Sequence, residues 1–130
     1  MIQAEAYQDI QILQDSDFEN VITFDSTHDM VGKSFKAYIA KDYKSTAFTG
    51  PSLSGSTWSS DAAATRLAFI IATGSNSVTL TLPAEATTYF TDGWEGVWDL
   101  LEKDADDTSY KRQIQGDVIV SNSIAKVGDF

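Results

Sequence analysis

At 130 residues the chain has the length of one domain, enough to bury a core without disulfides or metals. It has no cysteine, which excludes a disulfide framework, a zinc–thiolate site and a thiol nucleophile. A net charge of −10 repels phosphate backbones and anionic lipid, so nucleic acid and membrane surfaces are poor partners, and the plain consequence of the acidity is solubility.

The first residues, MIQAEAYQDIQILQ, have neither the basic start nor the long apolar run of a secretory signal, and the longest apolar run, Leu67 to Ala72, is strand-sized. These features predict a soluble chain made in a cytoplasm. Ile10 and Ile12 predict a first strand, Phe18, Ile22 and Phe24 a second, and Phe35, Ala37 and Ile39 a third after a turn at 29–32. Residues 44–65, rich in Ser and Thr with Gly50-Pro51 inside, predict a long loop that is functional or hides a short strand, with a helical turn at 61–64.

The period-two pattern is clearest beyond that loop. Residues 66–72 predict one strand apolar on both faces; Val78, Leu80 and Leu82 then alternate with Thr79 and Thr81 until Pro83 removes a ladder donor. Between them, Thr73-Gly74-Ser75-Asn76-Ser77 is a hairpin turn. Residues 83–90 predict one helical turn crossing between sheets. Trp94, Trp98 and Leu100 share one parity, with Glu95 and Asp99 opposite. Tyr110, Ile114, Val118 and Val120 share another, with Lys111, Gln113, Gln115 and Asp117 opposite. Seven strands at roughly ten-residue spacing predict an all-β antiparallel sandwich, with a barrel as the other candidate. It forms a single domain over 1–130, with 1–7 and 127–130 as loose termini.

Four groups of residues raise the question of chemistry. The acidic stretch Asp104-Ala105-Asp106-Asp107 suggests a calcium loop. A twelve-residue calcium loop starting at Asp104 would put Ser109 where glycine is needed and Gln115 where a bidentate Glu is needed. The stretch is therefore read as a turn. His28 is the only histidine, and its neighbours Ser26 and Thr27 are too close in sequence for a triad, so it is read as an exposed turn residue. One histidine without cysteine makes a transition-metal site improbable, and no cofactor motif is present. Glu95, Asp99 and Glu102 could pair for glycoside hydrolysis but are read as solvated outward residues.

The aromatics are the remaining lead. Trp58, Trp94 and Trp98, with Tyr38, Tyr43, Phe48, Tyr89 and Phe90, could stack on a sugar, but Trp94 and Trp98 fit a core anchor. Trp58 in the Ser-rich loop, with Phe48 and Tyr43, is the candidate contact surface, whether for a glycan or a subunit.

The order of segments also carries a resemblance. Ser77-Val78-Thr79-Leu80-Thr81-Leu82-Pro83-Ala84-Glu85-Ala86-Thr87 is followed by Gly96-Val97-Trp98-Asp99-Leu100. After the acidic turn comes Gln115-Gly116-Asp117-Val118-Ile119-Val120-Ser121. This resembles small immunoglobulin-like proteins and domains found among tail and baseplate genes of tailed bacteriophages. Gln14-Asp15-Ser16-Asp17-Phe18 and the strand from Lys33 to Ile39 match the first half of that pattern more loosely. Gly96 replaces an aromatic, and the loop before Arg66 is longer than usual. The resemblance covers about residues 8–127 and consists of folding residues, not catalytic ones. It implies a non-enzymatic virion component, immunoglobulin-like, assembled in the host bacterial cytoplasm and homo-oligomeric or bound to other virion proteins through exposed edge strands. A carbohydrate-binding module for host adhesion is the alternative.

Overall fold

A computed structural model describes residues 6–43, 50–54, 57–60, 66–91, 93–104 and 110–121. In chain order they form β1 (Ala6–Tyr7), β2 (Ile10–Leu13), β3 (Phe18–Thr23), β4 (Ser34–Ala40), β5 (Pro51–Ser54) and β6 (Thr57–Ser60). These are followed by β7 (Leu67–Ala68), β8 (Ile70–Thr73), β9 (Ser77–Leu82), α1 (Ala84–Thr87), β10 (Glu95–Lys103) and β11 (Tyr110–Ser121). A larger sheet runs β1-β11-β10-β4-β7, with β2 also on β11; a smaller one runs β3-β9-β8. The inner faces of both sheets contribute to one core, in which Ile12, Ile39, Trp98, Leu100, Val118 and Val120 meet Ile22, Val78, Leu80 and Leu82. This is the predicted all-β sandwich.

The alternation along β9 holds throughout: Val78, Leu80 and Leu82 are buried and the intervening Ser and Thr are not. The predicted helical turn forms as α1 after Pro83, whose missing N–H costs nothing at a helix start. Its first amide, Ala84 N, donates to Asp17 Oδ1 at 2.8 Å.

Other expectations are corrected. The described residues hold eleven strands, not seven. The larger sheet is not purely antiparallel, because β1 and β2 both run parallel to β11. Ala6 and Tyr7, expected to be loose, therefore pair with Ile114 and Gln115. The predicted strand over 66–72 is two strands in two sheets: β7 pairs with β4, and β8 with β9. The chain changes layer at Phe69, whose ring meets Trp98 edge-on at 6.2 Å. Only one face of this segment is apolar in effect, since Leu67 and Phe69 are buried and Ile70 is exposed. The long loop contains a hairpin, β5–β6. The expected helical turn at 61–64 lies outside the described residues.

The first half of β11 shows why parity failed at Tyr110. Leu100 pairs with Ile114 but Leu101 pairs with Arg112, so Gln113 is an extra residue, a β-bulge. The bulge reverses the facing of everything before it. Gln113 becomes buried, not solvent-facing, and Tyr110 turns outward to lie 57% exposed beside Lys103. β10 and β11 still pair antiparallel out to Lys103 and Tyr110, so the acidic stretch connects two paired strand ends, as a hairpin turn must. Residues 105–109 themselves lie outside the described residues.

Two glycines permit close approach. A Cβ on Gly116 would lie 1.9 Å from the carbonyl oxygen of Gln8, where the N-terminal segment breaks between β1 and β2 and bends in against β11. That same carbonyl accepts a hydrogen bond from Trp98 Nε1 at 2.7 Å. A Cβ on Gly96 would meet the Trp94 ring and the Ala40 carbonyl oxygen, both under 3 Å away.

Candidate functional site

Strand β10 sorts the three carboxylates of the hydrolase reading. Trp98, Leu100 and Glu102 share the inward parity, so Glu102 is buried rather than solvated. Asp99 points to the outer face, and Glu95 stands exposed at the far end of the strand. The three do not converge.

Glu102 opens instead onto a polar cleft of about 600 Å³ lined by Asp25, Thr27, His28, Asp29, Lys33, Asp104, Tyr110 and Lys111. Its Oε1 lies 2.6 Å from His28 Nε2. His28 is thus not the exposed turn residue predicted; its ring also stacks on Phe24 at 4.6 Å. The turn that presents it is locally determined. Asp25 Oδ1 accepts from the Thr27 N–H and hydroxyl, Asp25 O accepts from the His28 N–H, and Gly32 supplies a positive φ of 72°. The Thr27 backbone and then hydroxyl bonds hold the Asp25 carboxyl below its ordinary value. Lys33 bonds Asp104, which raises the ammonium above its ordinary value. The reactive groups of this cleft are largely bound to one another. Among the described residues no three His, Cys, Asp or Glu are grouped to hold a metal ion. The inward parity of Glu102, continuous with Trp98 and Leu100, was the available signal for this pairing.

A second cluster lies on the outer face of the larger sheet. Tyr43, 47% exposed, crosses over β10 and β11 and donates its hydroxyl to the Gly116 carbonyl at 3.1 Å. The Arg112 guanidinium lies 5.5 Å from its ring, and Arg66 lies 3.8 Å over Tyr38. Between the two arginines sits Asp99. Arg112 Nε approaches Asp99 Oδ2 to 3.3 Å, an ion pair without hydrogen-bond alignment. Burial raises the Asp99 carboxyl above its ordinary value, against the pull of Arg112 and Arg66. Burial, with Asp117 and Asp99 nearby, also raises the Tyr43 phenol.

The predicted contact residues are placed as follows. Tyr43 is on this outer face. Trp58, on β6, is half-buried and packs against the core instead of standing free, because the β5–β6 hairpin folds back towards α1. Phe48 lies outside the described residues. Trp94 and Trp98 are buried, as their parity predicts, which removes them from any sugar-stacking platform. Tyr38 was named in the sequence only among the stacking aromatics, and Arg66 and Arg112 went unnoticed, because their convergence depends on the pairing of β4, β7, β10 and β11. No helix among the described residues is long and apolar enough to cross a membrane. Neither a protein-family model nor a curated protein matches the chain.

Proposed function

We propose that this chain is a non-enzymatic structural protein of the tail or baseplate of a tailed-phage particle. In this reading it is an immunoglobulin-like sandwich that acts by protein–protein contact and is assembled in the host cytoplasm. The observation that carries the contact role is the outer-face cluster of Tyr38, Tyr43, Arg66 and Arg112 around Asp99. Tyr and Arg are the residue types over-represented at the energetic centres of interfaces, and here each arginine is already held against a ring. The segments that carry the resemblance to phage tail proteins coincide with β9, β10 and β11, which contribute Val78, Leu80, Leu82, Trp98, Leu100, Val118 and Val120 to the core.

The test is quantitative mass spectrometry of purified particles from a phage that encodes the chain. The chain is expected at a stoichiometry matching a symmetric ring, and Arg112→Ala with Arg66→Ala is expected to reduce its incorporation. Absence from intact particles would end the virion reading. Binding to a glycan array in that case would favour the adhesion module.

A further inference from the structure

The smaller sheet turns a different kind of face to solvent. Its register places Val21 beside Thr79 and Thr79 beside Ala72, and likewise Glu19 beside Thr81 and Thr81 beside Ile70. Val21 and Ile70 are each 52% exposed. The three strands β3, β8 and β9 carry one charged side chain between them, Glu19, in a chain of net charge −10. The outer face of the larger sheet carries charges on all its long strands, among them Lys36, Glu95, Lys103 and Asp117.

Strand β8 is also an edge. Among the described residues it pairs with β9 alone, so one side of its backbone is left without a ladder partner. Edge strands are normally protected by a lysine, a proline, an inward charge or a bulge. Ile70-Ile71-Ala72-Thr73 has none of these. The other edge, β3, does carry a charge, at Glu19.

We propose that β8 pairs antiparallel with β8 of a second copy of this chain, joining the two smaller sheets across a two-fold axis. The charge distribution selects the occupant. A basic partner would be drawn to the acidic surfaces, whereas two copies of a −10 chain repel except where both are neutral, and β8 is such a place. An antiparallel strand pair is also self-complementary about a two-fold, and Ile and Thr are favoured cross-strand neighbours. The association is independent of the virion reading, and either can fail without the other.

The test is light scattering after size exclusion, on the full chain, from micromolar to sub-millimolar concentration. A mass of twice 14.2 kDa is expected at the upper end. The dimer is expected to strengthen between about 0.05 and 0.5 M salt, as the repulsion between acidic surfaces is screened. Ile70→Lys should weaken dimerisation at least about tenfold, because it places a lysine from each copy on an otherwise uncharged edge. Ile119→Lys, at an exposed position on the other sheet, should leave it unchanged. Single cysteines at Ile70 and Ala72 provide a second measurement in a chain that has none of its own. Rapid disulfide capture of the dimer by at least one of them, and by neither under dilution, is expected. A monomer at every concentration would overturn the proposal, as would a dimer lost with Ile119→Lys but not with Ile70→Lys.

Discussion

The hydroxyl of Thr87 bonds Ser16 twice: it accepts from the Ser16 N–H at 3.1 Å and donates to the Ser16 carbonyl at 2.8 Å. Thr87 is fully buried on α1, and Ser16 lies in the turn between β2 and β3. The pair ties one end of the sandwich to the crossover helix. Thr87→Val keeps the shape but takes this donor from the Ser16 carbonyl and leaves the Ser16 N–H only its 3.3 Å bond to Leu13 O, and should cost about 1–3 kcal/mol in urea unfolding. Thr87→Ser should lose less, because it keeps both bonds. Equal losses for the two variants would show that the methyl group, not the hydroxyl, matters.

Gly116→Ala tests whether the close approach of Gln8 to β11 is fixed by the missing Cβ. The added methyl would strike backbone, which cannot rotate away as a side chain can. Displacing Gln8 would also break the bond from Trp98 Nε1. A loss of about 3 kcal/mol or more is expected, at the upper end of overpacking effects. Amide exchange should show β1 and β2 released from β11 before the rest of the sheet. A variant within about 0.5 kcal/mol of the parent would contradict the close approach, being the change expected at an ordinary surface position.

For the His28–Glu102 pair the expected signature is coupling. His28→Ala should cost about 1.5–3 kcal/mol, the range for a hydrogen bond to a charged group. In Glu102→Gln the same histidine substitution should cost less. Additive losses in the double-mutant cycle would mean that Phe24 stacking, not the carboxylate, holds the ring.

Two aspartates should move stability in opposite directions with pH. The folded-state value of Asp99 lies above its ordinary 3.8, so the native chain holds this proton more tightly than the unfolded one. Asp99 therefore disfavours folding at neutral pH, and that cost fades as pH falls through the raised value towards 3.8. Asp25 lies below 3.8, so its contribution is present above that value and is lost as pH falls through the lowered one. Melting temperatures against pH should show Asp99→Asn gaining on the parent at neutral pH and losing that advantage in acid. Asp25→Asn should show the reverse trend.

The sequence disclosed those parts of the fold that depend on one strand at a time. Val78, Leu80 and Leu82 had to face inward together whatever lay opposite, and Trp98 and Leu100 likewise. The same rule extended to Glu102 would have revealed its burial; the acidic side chain masked the parity. The bulge at Gln113 is different in kind, since an extra residue exists only relative to a partner strand. The change of layer at Phe69 is similar, because a continuous apolar run looks alike whether it stays in one sheet or serves two. The contact cluster was half legible: Tyr38 and Tyr43 could be named as aromatics, but Arg66 and Arg112, which lie against them, are remote in sequence.

The pairing of β1 and β2 with β11 has a consequence for how the protein is made. Gln11 and Ser121, hydrogen-bonded in the folded sheet, are 110 positions apart. At ribosomal rates of about 5–20 residues per second, the first strand waits roughly 5–20 s for its neighbour to be synthesised. During that interval Ile10 and Ile12 have no β11 to cover them, and the larger sheet cannot close until its last strand has cleared the exit tunnel. The nascent chain therefore completes its core only after most of it has already been in solution.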